Sequence, residues 1–278
     1  MTSLPRPAIV MWEVTRACKL SCAHCVVGPQ EQRSAAELST YEAYKTIDQI
    51  VALRPQELIM TGGDPLERSD LYQLIDYAVR RGANPTLTLS PTPLLTGSVM
   101  GKLRHHGLTR IAIAIDAASP APHDALRGLF GQFAAMLTAV RWARTAELEI
   151  EANTLVTTAN LNDLPAMARL LTSLGIQRWN VYFPVPLRGA KSVASLKPEE
   201  VERAFEQLLK IGGEVAFGIR TFEAPMLEDD IVFISHSGEV ASSPFAGVRA
   251  GNVRYQPLSA IYSSADLFAS NRRDISRH

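Results

Sequence analysis

The chain of 278 residues carries 28 basic and 28 acidic side chains, so its formal net charge is zero. A balanced charge excludes a global basic field that would attract nucleic acid or an anionic membrane surface. Hydrophobic residues make up 46% and charged residues 20% of the chain, as in ordinary globular proteins. Because the sequence has neither a membrane-length apolar run nor a signal-peptide core, we expect a cytoplasmic protein that binds neither nucleic acid nor membrane.

Strands and helices alternate along most of the chain. In chain order the predicted strands are Ala8–Thr15, Glu57–Thr61, Thr86–Ser90, Thr109–Ile115, Glu147–Val156 and Gln177–Phe183. The predicted helices are Thr40–Leu53, Asp70–Arg81 (with Ser69 as N-cap and Gly82 as C-cap), Thr96–His106, Phe130–Thr145 and Leu161–Leu174. This repeat predicts an α/β fold with a parallel sheet and right-handed crossovers, namely a partial (β/α)6 TIM-like barrel.

A different pattern begins after residue 183. It predicts a loop over Pro184–Leu196, a helix over Pro198–Gly212, and short strands at Val215–Phe222, Ile231–Ser235 and Glu239–Ala241. We therefore expect two units: a core of residues 1–185 and a small C-terminal α+β extension of residues 186–278. In such barrels the chemistry lies at the carboxyl ends of the strands.

All three cysteines of the sequence, Cys18, Cys22 and Cys25, form one C-x₃-C-x₂-C motif. A clustered, odd set of cysteines predicts metal or redox chemistry rather than disulfides. Thiolates that converge from a short loop suit an iron–sulfur cluster, and three of them leave one iron open to another ligand. A zinc site that includes His24 is the alternative, although His24 and Cys25 are adjacent, which is awkward for one tetrahedral ion.

The stretch from Trp12 to Cys25 (WEVTRACKLSCAHC) resembles the first strand and cluster loop of radical S-adenosylmethionine (SAM) enzymes. It is most similar to the branch whose members often carry a C-terminal SPASM or twitch extension, although Lys19 stands where asparagine is common. The resemblance implies a [4Fe–4S] cluster on the three cysteines, with His24 beside it. It further implies that SAM is reductively cleaved to a 5′-deoxyadenosyl radical, using an external one-electron donor of the flavodoxin or ferredoxin type.

The segment Gly62-Gly63-Asp64-Pro65 follows the second predicted strand and resembles the Gly-Gly-Glu-Pro motif of the family. Glycines let backbone carbonyls and amides approach a ligand closely. The resemblance implies that this segment binds the SAM amino group. A plain strand-to-helix turn, with Asp64 as cap and Pro65 in the first helical position, is the alternative.

Two further strand ends resemble SAM-contacting positions of the family. Ser90 and Thr92 follow the third strand, where relatives bind the methionine carboxylate or the ribose, although a turn is an equal alternative. Asn153 lies in the fifth strand and, facing inward, needs hydrogen-bond partners; the resemblance implies a contact with the ribose. Tyr182, at the end of the sixth strand, is a candidate wall for the adenine.

Asp116 and the segment from His123 to Gly128 (HDALRG) resemble the Ile-Ser-Leu-Asp-Gly … His-Asp-x-x-Arg-Gly segment of the family. Asp116 ends the fourth strand on the expected catalytic face, where it can meet SAM or substrate. Arg127 can pair with a carboxylate in a bidentate manner. A solvated salt bridge is the alternative interpretation of Arg127.

The segment from Ser237 to Pro244 resembles the start of a SPASM extension, in which cysteines bind auxiliary clusters. Here Ser242 and Ser243 stand at that position, so the extension is expected to be shortened and clusterless. With every thiol assigned to one cluster, none is left to donate a hydrogen atom. This favours substrate radicals that eliminate, rearrange, couple or lose CO₂, or that are quenched by a tyrosine or an external reductant.

These observations predict a radical SAM enzyme that acts on a small molecule in natural-product or cofactor biosynthesis. Modification of a ribosomal peptide or a haem precursor is the alternative within the same class. A non-catalytic zinc or iron–sulfur binding protein is the alternative from another class.

Overall fold

The computed structural model describes residues 6–20, 22, 25, 30–183, 196–222, 231–243 and 248–268. The predicted loop after the sixth strand lies almost wholly outside these residues. Within them, one sheet contains ten strands. They are β1 (Ile9–Glu13), β2 (Glu57–Thr61), β3 (Pro85–Leu89), β4 (Arg110–Ala114), β5 (Glu149–Leu155), β6 (Arg178–Tyr182), β7 (Gly218–Phe222), β8 (Ile231–Ile234), β9 (Glu239–Ala241) and β10 (Gly251–Asn252).

Eight α-helices in the described part of the chain pack mainly on the outer face of this sheet. They are α1 (Thr40–Leu53), α2 (Leu71–Arg80), α3 (Gly97–His105), α4 (Pro120–Arg127), α5 (Gln132–Thr145), α6 (Leu164–Leu174), α7 (Pro198–Gly212) and α8 (Leu258–Ser264). The bounds of α1 and α7 are those predicted, whereas α4 was not predicted. None of the described helices is long and apolar enough to cross a membrane.

The caps predicted for α2 are wrong. Asp70, not Ser69, precedes the helix as its N-cap, and Arg81 is its C-cap. The Ser69 hydroxyl instead accepts a hydrogen bond from Arg33 Nη1 at 3.2 Å. Gly82 follows the C-cap with φ of +88°, a left-handed conformation that favours glycine directly after a helix.

The strand order is β10-β9-β8-β1-β2-β3-β4-β5-β6-β7, in which β8 and β1 to β7 are mutually parallel. The predicted α/β class and TIM-like partial barrel are therefore confirmed. The sheet nevertheless has eight parallel strands rather than six, because β7 pairs with β6 and β8 pairs with β1. Both strands lie in the predicted extension, so the predicted boundary at residue 185 does not interrupt the sheet.

Alternate side chains of the strands face the inside of the curved sheet, which we call the lumen. One apolar group there, the lumen cluster, consists of Ile9, Ile59, Phe222, Ile231, Phe233 and Ala241. Phe222 of β7 and Phe233 of β8 share this cluster although their strands lie at opposite ends of the parallel set. The sheet therefore curves into a partial barrel.

Charged side chains fill the lumen at the amino ends of the strands. Glu57 of β2 is paired with Arg220 of β7 (Oε2 to Nη1, 2.9 Å) and with Arg178 of β6. Burial by itself would raise the pKa of Glu57, but hydrogen bonds and charge from the two guanidinium groups hold it below its usual range. This network spans the lumen from β2 to β7, so it closes that end and leaves the carboxyl ends of the strands for chemistry.

Glu42 on α1 connects the core to the segment after β10. Arg254 Nε lies 2.9 Å from Glu42 Oε1, and this contact is the main cause that lowers the pKa of Glu42 to about 2. Since the folded pKa is depressed, the stabilisation is complete above about pH 4.5 and is lost as the pH falls toward 2.

We expect Glu42→Gln to lower the free energy of unfolding of the metal-free protein by about 1 kcal/mol at pH 7, since the carboxylate is partly solvated. The difference from wild type should narrow as the pH is lowered toward 3, measured by urea unfolding. Glu202→Gln, at an exposed position of α7, is the matched control. Equal pH dependence in both variants would contradict the assignment.

Candidate active site at the carboxyl ends of the strands

The cysteine loop follows β1 and is closed at its base by backbone hydrogen bonds. Cys18 N donates to Gln30 O at 2.9 Å, and Gln30 N donates to Arg16 O at 3.2 Å. Within the loop, Cys25 N donates to Cys22 O at 3.1 Å. The three cysteines thus belong to one closed loop at the carboxyl end of β1. His24 lies outside the described residues.

All three thiols are half-buried. Burial is the main cause that raises the pKa of Cys18; a hydrogen bond from Leu20 N at 3.4 Å opposes it, and charge on Asp64, Cys22 and Cys25 adds to the rise. The backbone closure of the loop keeps the three cysteines within one short segment. No three His, Cys, Asp or Glu side chains in the described ranges converge on a single-ion site. A cubane presents a separate iron to each thiolate, so its ligands need not meet at one point.

Gly62 and Gly63 lie directly beneath the start of the cysteine loop. Gly63 N donates to Thr15 O at 2.8 Å, and Asp64 N donates to Ala17 O at 2.7 Å. A Cβ on Gly62 would lie 2.5 Å from Thr15 O, and one on Gly63 would lie 2.5 Å from Ala17 O. The glycines are therefore required for contact between two backbone segments of this chain. Their predicted contact with SAM stays a prediction.

Asp64 joins the ends of β2 and β3. It caps the short 3₁₀ turn Pro65–Glu67, and its Oδ1 accepts a hydrogen bond from Leu66 N at 3.0 Å. Its Oδ2 accepts the Thr92 hydroxyl at 2.6 Å, and Thr92 N in turn donates to Ser90 O at 2.8 Å. Burial raises the pKa of Asp64, against the effect of these hydrogen bonds. The capping geometry of the alternative interpretation is thus present, and SAM contacts of these residues stay predictions.

Asp116 and Arg127 form a buried ion pair beside the cysteine loop. Arg127 Nε lies 3.1 Å from Asp116 Oδ2, and Asp116 Oδ1 accepts a hydrogen bond from Leu155 N at 3.1 Å. Arg127 Nη1 donates to Cys22 Sγ at 3.7 Å. Arg127 is only 6% exposed, so the solvated salt bridge considered for it is wrong. Its Nη2 is buried and has no hydrogen-bond partner within the described residues.

Asn153 and Tyr182 lie on neighbouring strands near the same edge of the barrel. Asn153 Oδ1 accepts a hydrogen bond from Asn180 Nδ2 at 3.0 Å, which supplies the partner that an inward-facing amide needs. The Tyr182 ring stacks on Phe222, with ring centroids 4.6 Å apart. Burial raises the pKa of Tyr182, so the phenol stays protonated. Contacts of both residues with SAM stay predictions.

A pair that sequence analysis missed lies at the carboxyl end of β1. Glu13, on the same strand face as Ile9 of the lumen cluster, is 1% exposed. Its Oε2 lies 2.8 Å from His236 Nδ1 and 3.1 Å from His236 N, and Arg16 Nε lies 3.2 Å from both carboxylate oxygens. His236 lies between the strands predicted at Ile231–Ser235 and Glu239–Ala241. Because 223 positions separate His236 from Glu13, no local sequence pattern could have predicted their contact. A glutamate at the end of a buried strand is, however, a signal in the sequence that a partner must lie nearby.

The serines at the expected auxiliary-cluster position are both buried, Ser242 completely and Ser243 at 4% exposure. They directly follow β9, which pairs antiparallel with β8. A small polar side chain rather than a thiol therefore occupies this position, next to a strand of the barrel.

These residues fit an iron–sulfur cluster with a SAM site beside it. Three neighbouring thiols on one closed loop are the donor set that such a cluster uses. Among the residues that the structure describes, Arg127 Nη2 is a buried donor without a hydrogen-bond partner, so it can bind an anionic group next to that loop. The lumen behind the loop has an apolar lining and aromatic side chains at its rim.

Comparison with known proteins places this arrangement in a family. Residues 12–171 match the model of the radical SAM superfamily. The AdoMet-dependent heme synthase of Methanosarcina barkeri is 29% identical, with 98% of this chain and 86% of that protein covered. The enzyme of the same name from Oleidesulfovibrio alaskensis is 30% identical, with 96% of this chain and 77% of that protein covered.

A solved structure supports the fold independently of sequence. The crystal structure of Streptococcus suis SuiB bound to S-adenosylmethionine matches with a TM-score of 0.80 at 13% identity, and covers 97% of this chain and 68% of SuiB. The family model spans more than half of the chain. The chain therefore belongs to the radical SAM superfamily, and it is an enzyme that uses a [4Fe–4S] cluster and SAM.

Proposed function

We propose that this enzyme forms haem from an iron porphyrin that carries propionate side chains, in cofactor biosynthesis. The observation that supports this proposal is the extent of likeness to the AdoMet-dependent heme synthases, which covers 96–98% of the chain. The matched part therefore includes α7 and β8 to β10, beyond the residues of the family model. A porphyrin agrees with the small-molecule substrate predicted from the sequence. It is also a haem precursor, the substrate class named there as an alternative.

We assign Cys18, Cys22 and Cys25 as the cluster ligands. When bound, the cluster and SAM supply a 5′-deoxyadenosyl radical that abstracts a hydrogen atom. The backbone contacts of Gly62 and Gly63 with residues 15–17 hold the loop against β2. The ion pairs of Glu57 with Arg178 and Arg220 close the opposite end of the barrel.

The distribution of thiols fits loss of CO₂ from a propionate. All three cysteines of the sequence lie in the cluster motif, so no further thiol is at hand to return a hydrogen atom. Removal of one hydrogen atom from the β-carbon, followed by loss of CO₂ and one electron, converts a propionate into a vinyl group. The electron requires an external one-electron acceptor, and reduction of the cluster requires an external donor of the flavodoxin or ferredoxin type. The half-buried thiols place the loop near the surface, where such a protein can approach in the cytoplasm.

The test is anaerobic turnover of the reconstituted enzyme with dithionite, SAM and Fe-coproporphyrin III, which has four propionates where haem has two. We expect haem by mass spectrometry, with two 5′-deoxyadenosine molecules formed per haem. Coproporphyrin III without iron and a reaction without SAM are the controls. If SAM is cleaved at the same slow rate with and without the porphyrin and no haem forms, the porphyrin proposal is wrong. The radical SAM assignment survives that outcome, and peptides become the next substrates to test.

A further inference from the structure

The guanidinium of Arg127 reaches the cysteine loop from α4, an element that is distant from the loop in the sequence. Arg127 is the last residue of α4, and its Nη1 lies 3.7 Å from Cys22 Sγ. The side chain is almost completely buried. Water therefore does little to screen its charge from the sulfur.

One backbone conformation and two sets of contacts fix the position of Arg127. Gly128 ends α4 in the left-handed conformation, with φ of 68°. The Asp124 carboxylate accepts hydrogen bonds from Gly131 N at 2.6 Å and from Phe133 N at 2.8 Å, so it ties α4 to α5. The Asp116 carboxylate holds the Nε edge of the guanidinium at 3.1 Å.

The ion pair is therefore oriented. Asp116 is bound at the Nε edge of Arg127, whereas the Nη1 edge faces Cys22, so the positive end of the pair lies nearer the sulfur. An N–H donor and a positive charge beside a metal-bound thiolate stabilise the state with more negative charge. For an iron–sulfur cluster that state is the reduced one, and hydrogen bonds to the sulfurs are a recognised determinant of its potential.

We infer that Arg127 donates a hydrogen bond to the Cys22 thiolate of the bound cluster and makes the cluster easier to reduce, while Asp116 opposes this effect. The inference rests on the proposed role of Cys22 as a cluster ligand. Arg127 is thus a positioning residue for the cluster. It acts on the first electron transfer, before SAM is cleaved.

The experiment is an EPR-monitored redox titration of the reconstituted enzyme without SAM or substrate. For Arg127→Gln we expect the ratio of reduced to oxidised cluster at a fixed potential to fall about tenfold, because one charge-assisted hydrogen bond is lost. For a one-electron couple this equals a fall of about 59 mV in the reduction potential. Lys19→Gln is the matched control, because it removes the same charge next to Cys18 from a side chain that is 67% exposed. Its potential should not change.

Asp116→Asn gives a prediction of opposite sign. It leaves the guanidinium beside Cys22 and removes the opposing charge, so the cluster should become easier to reduce. A residue that only supported the fold would not shift the potential in opposite directions in the two variants. An unchanged or raised potential in Arg127→Gln with full iron content would overturn the inference. If Arg127→Gln does not hold a cluster, a lowered or unchanged potential in Asp116→Asn overturns it instead.

Failure of the underlying proposal gives a different result. A Cys22→Ala variant that retained the complete four-iron signal would show that Cys22 is not a ligand, whatever the potential of the Arg127 variants.

Discussion

Replacing Cys18, Cys22 or Cys25 by alanine is expected to abolish both the [4Fe–4S] cluster and the cleavage of SAM. A cubane on three protein ligands already leaves one iron for SAM, so loss of another thiolate leaves two irons without a protein ligand. After anaerobic reconstitution, each variant should lack the cluster absorbance, and the rate of 5′-deoxyadenosine formation should fall below about one thousandth of wild type, in line with the loss of an essential catalytic group.

The effect should be chemical rather than structural. The three thiols are half-buried, and the loop is closed by backbone hydrogen bonds that do not involve their side chains. The free energy of unfolding of each metal-free variant should therefore stay within about 1 kcal/mol of wild type in urea. Lys19→Ala, an exposed position within the same loop, is the control and should keep the cluster. A triple cysteine variant that still cleaved SAM would refute the ligand assignment.

Local patterns were sufficient to predict most single elements. Apolar spacing predicted α1 and a proline in the first turn marked the start of α7, both with their observed bounds. The structure adds a capping box of Ser39 and Glu42 at the start of α1. Strands β2 and β9 were likewise predicted with their observed bounds. Helix α4 escaped prediction because it is short and contains two prolines, and its stability comes from tertiary contacts such as those of Asp124.

Pairings between distant segments could not be predicted. No local feature of β7 or β8 indicates which strand it will join, since edge pairing in a barrel depends on the curvature of the whole sheet. The contact between Glu13 and His236 is a consequence of that pairing, because it forms only after β8 lies beside β1. The candidate loops at the carboxyl ends of the strands were thus predictable from the sequence, whereas the assembled barrel was needed to bring His236 beside Glu13.

The glycines after β2 are needed for a contact within the chain itself. From the sequence alone, Gly62 and Gly63 are predicted to let a ligand approach the backbone closely. In the structure, Thr15, Arg16 and Ala17 occupy the space where their Cβ atoms would lie. The motif therefore first sets the distance between β2 and the cysteine loop, and any contact with SAM depends on that distance.

Gly63→Ala is consequently expected to displace the cysteine loop. The new Cβ would lie 2.5 Å from Ala17 O and 2.6 Å from Arg16 O, and both are backbone atoms that cannot rotate away. Relief requires a backbone shift of roughly 1 Å, and a displacement of that size at a catalytic site lowers a rate by about 100-fold. We also expect overpacking to reduce the free energy of unfolding by about 1–3 kcal/mol. Iron content, 5′-deoxyadenosine formation and urea unfolding of the metal-free protein measure these effects.

Gly101→Ala separates this steric effect from the general effect of removing a glycine. Gly101 lies within α3, and a Cβ there would meet no atom within 4 Å. Alanine at an open helical position should stabilise the protein by about 0.5–1 kcal/mol and leave the rate of SAM cleavage unchanged. If Gly63→Ala matched Gly101→Ala in both stability and rate, the loop would tolerate a wider spacing from β2. The close approach of the two backbones would then not be what positions the cluster.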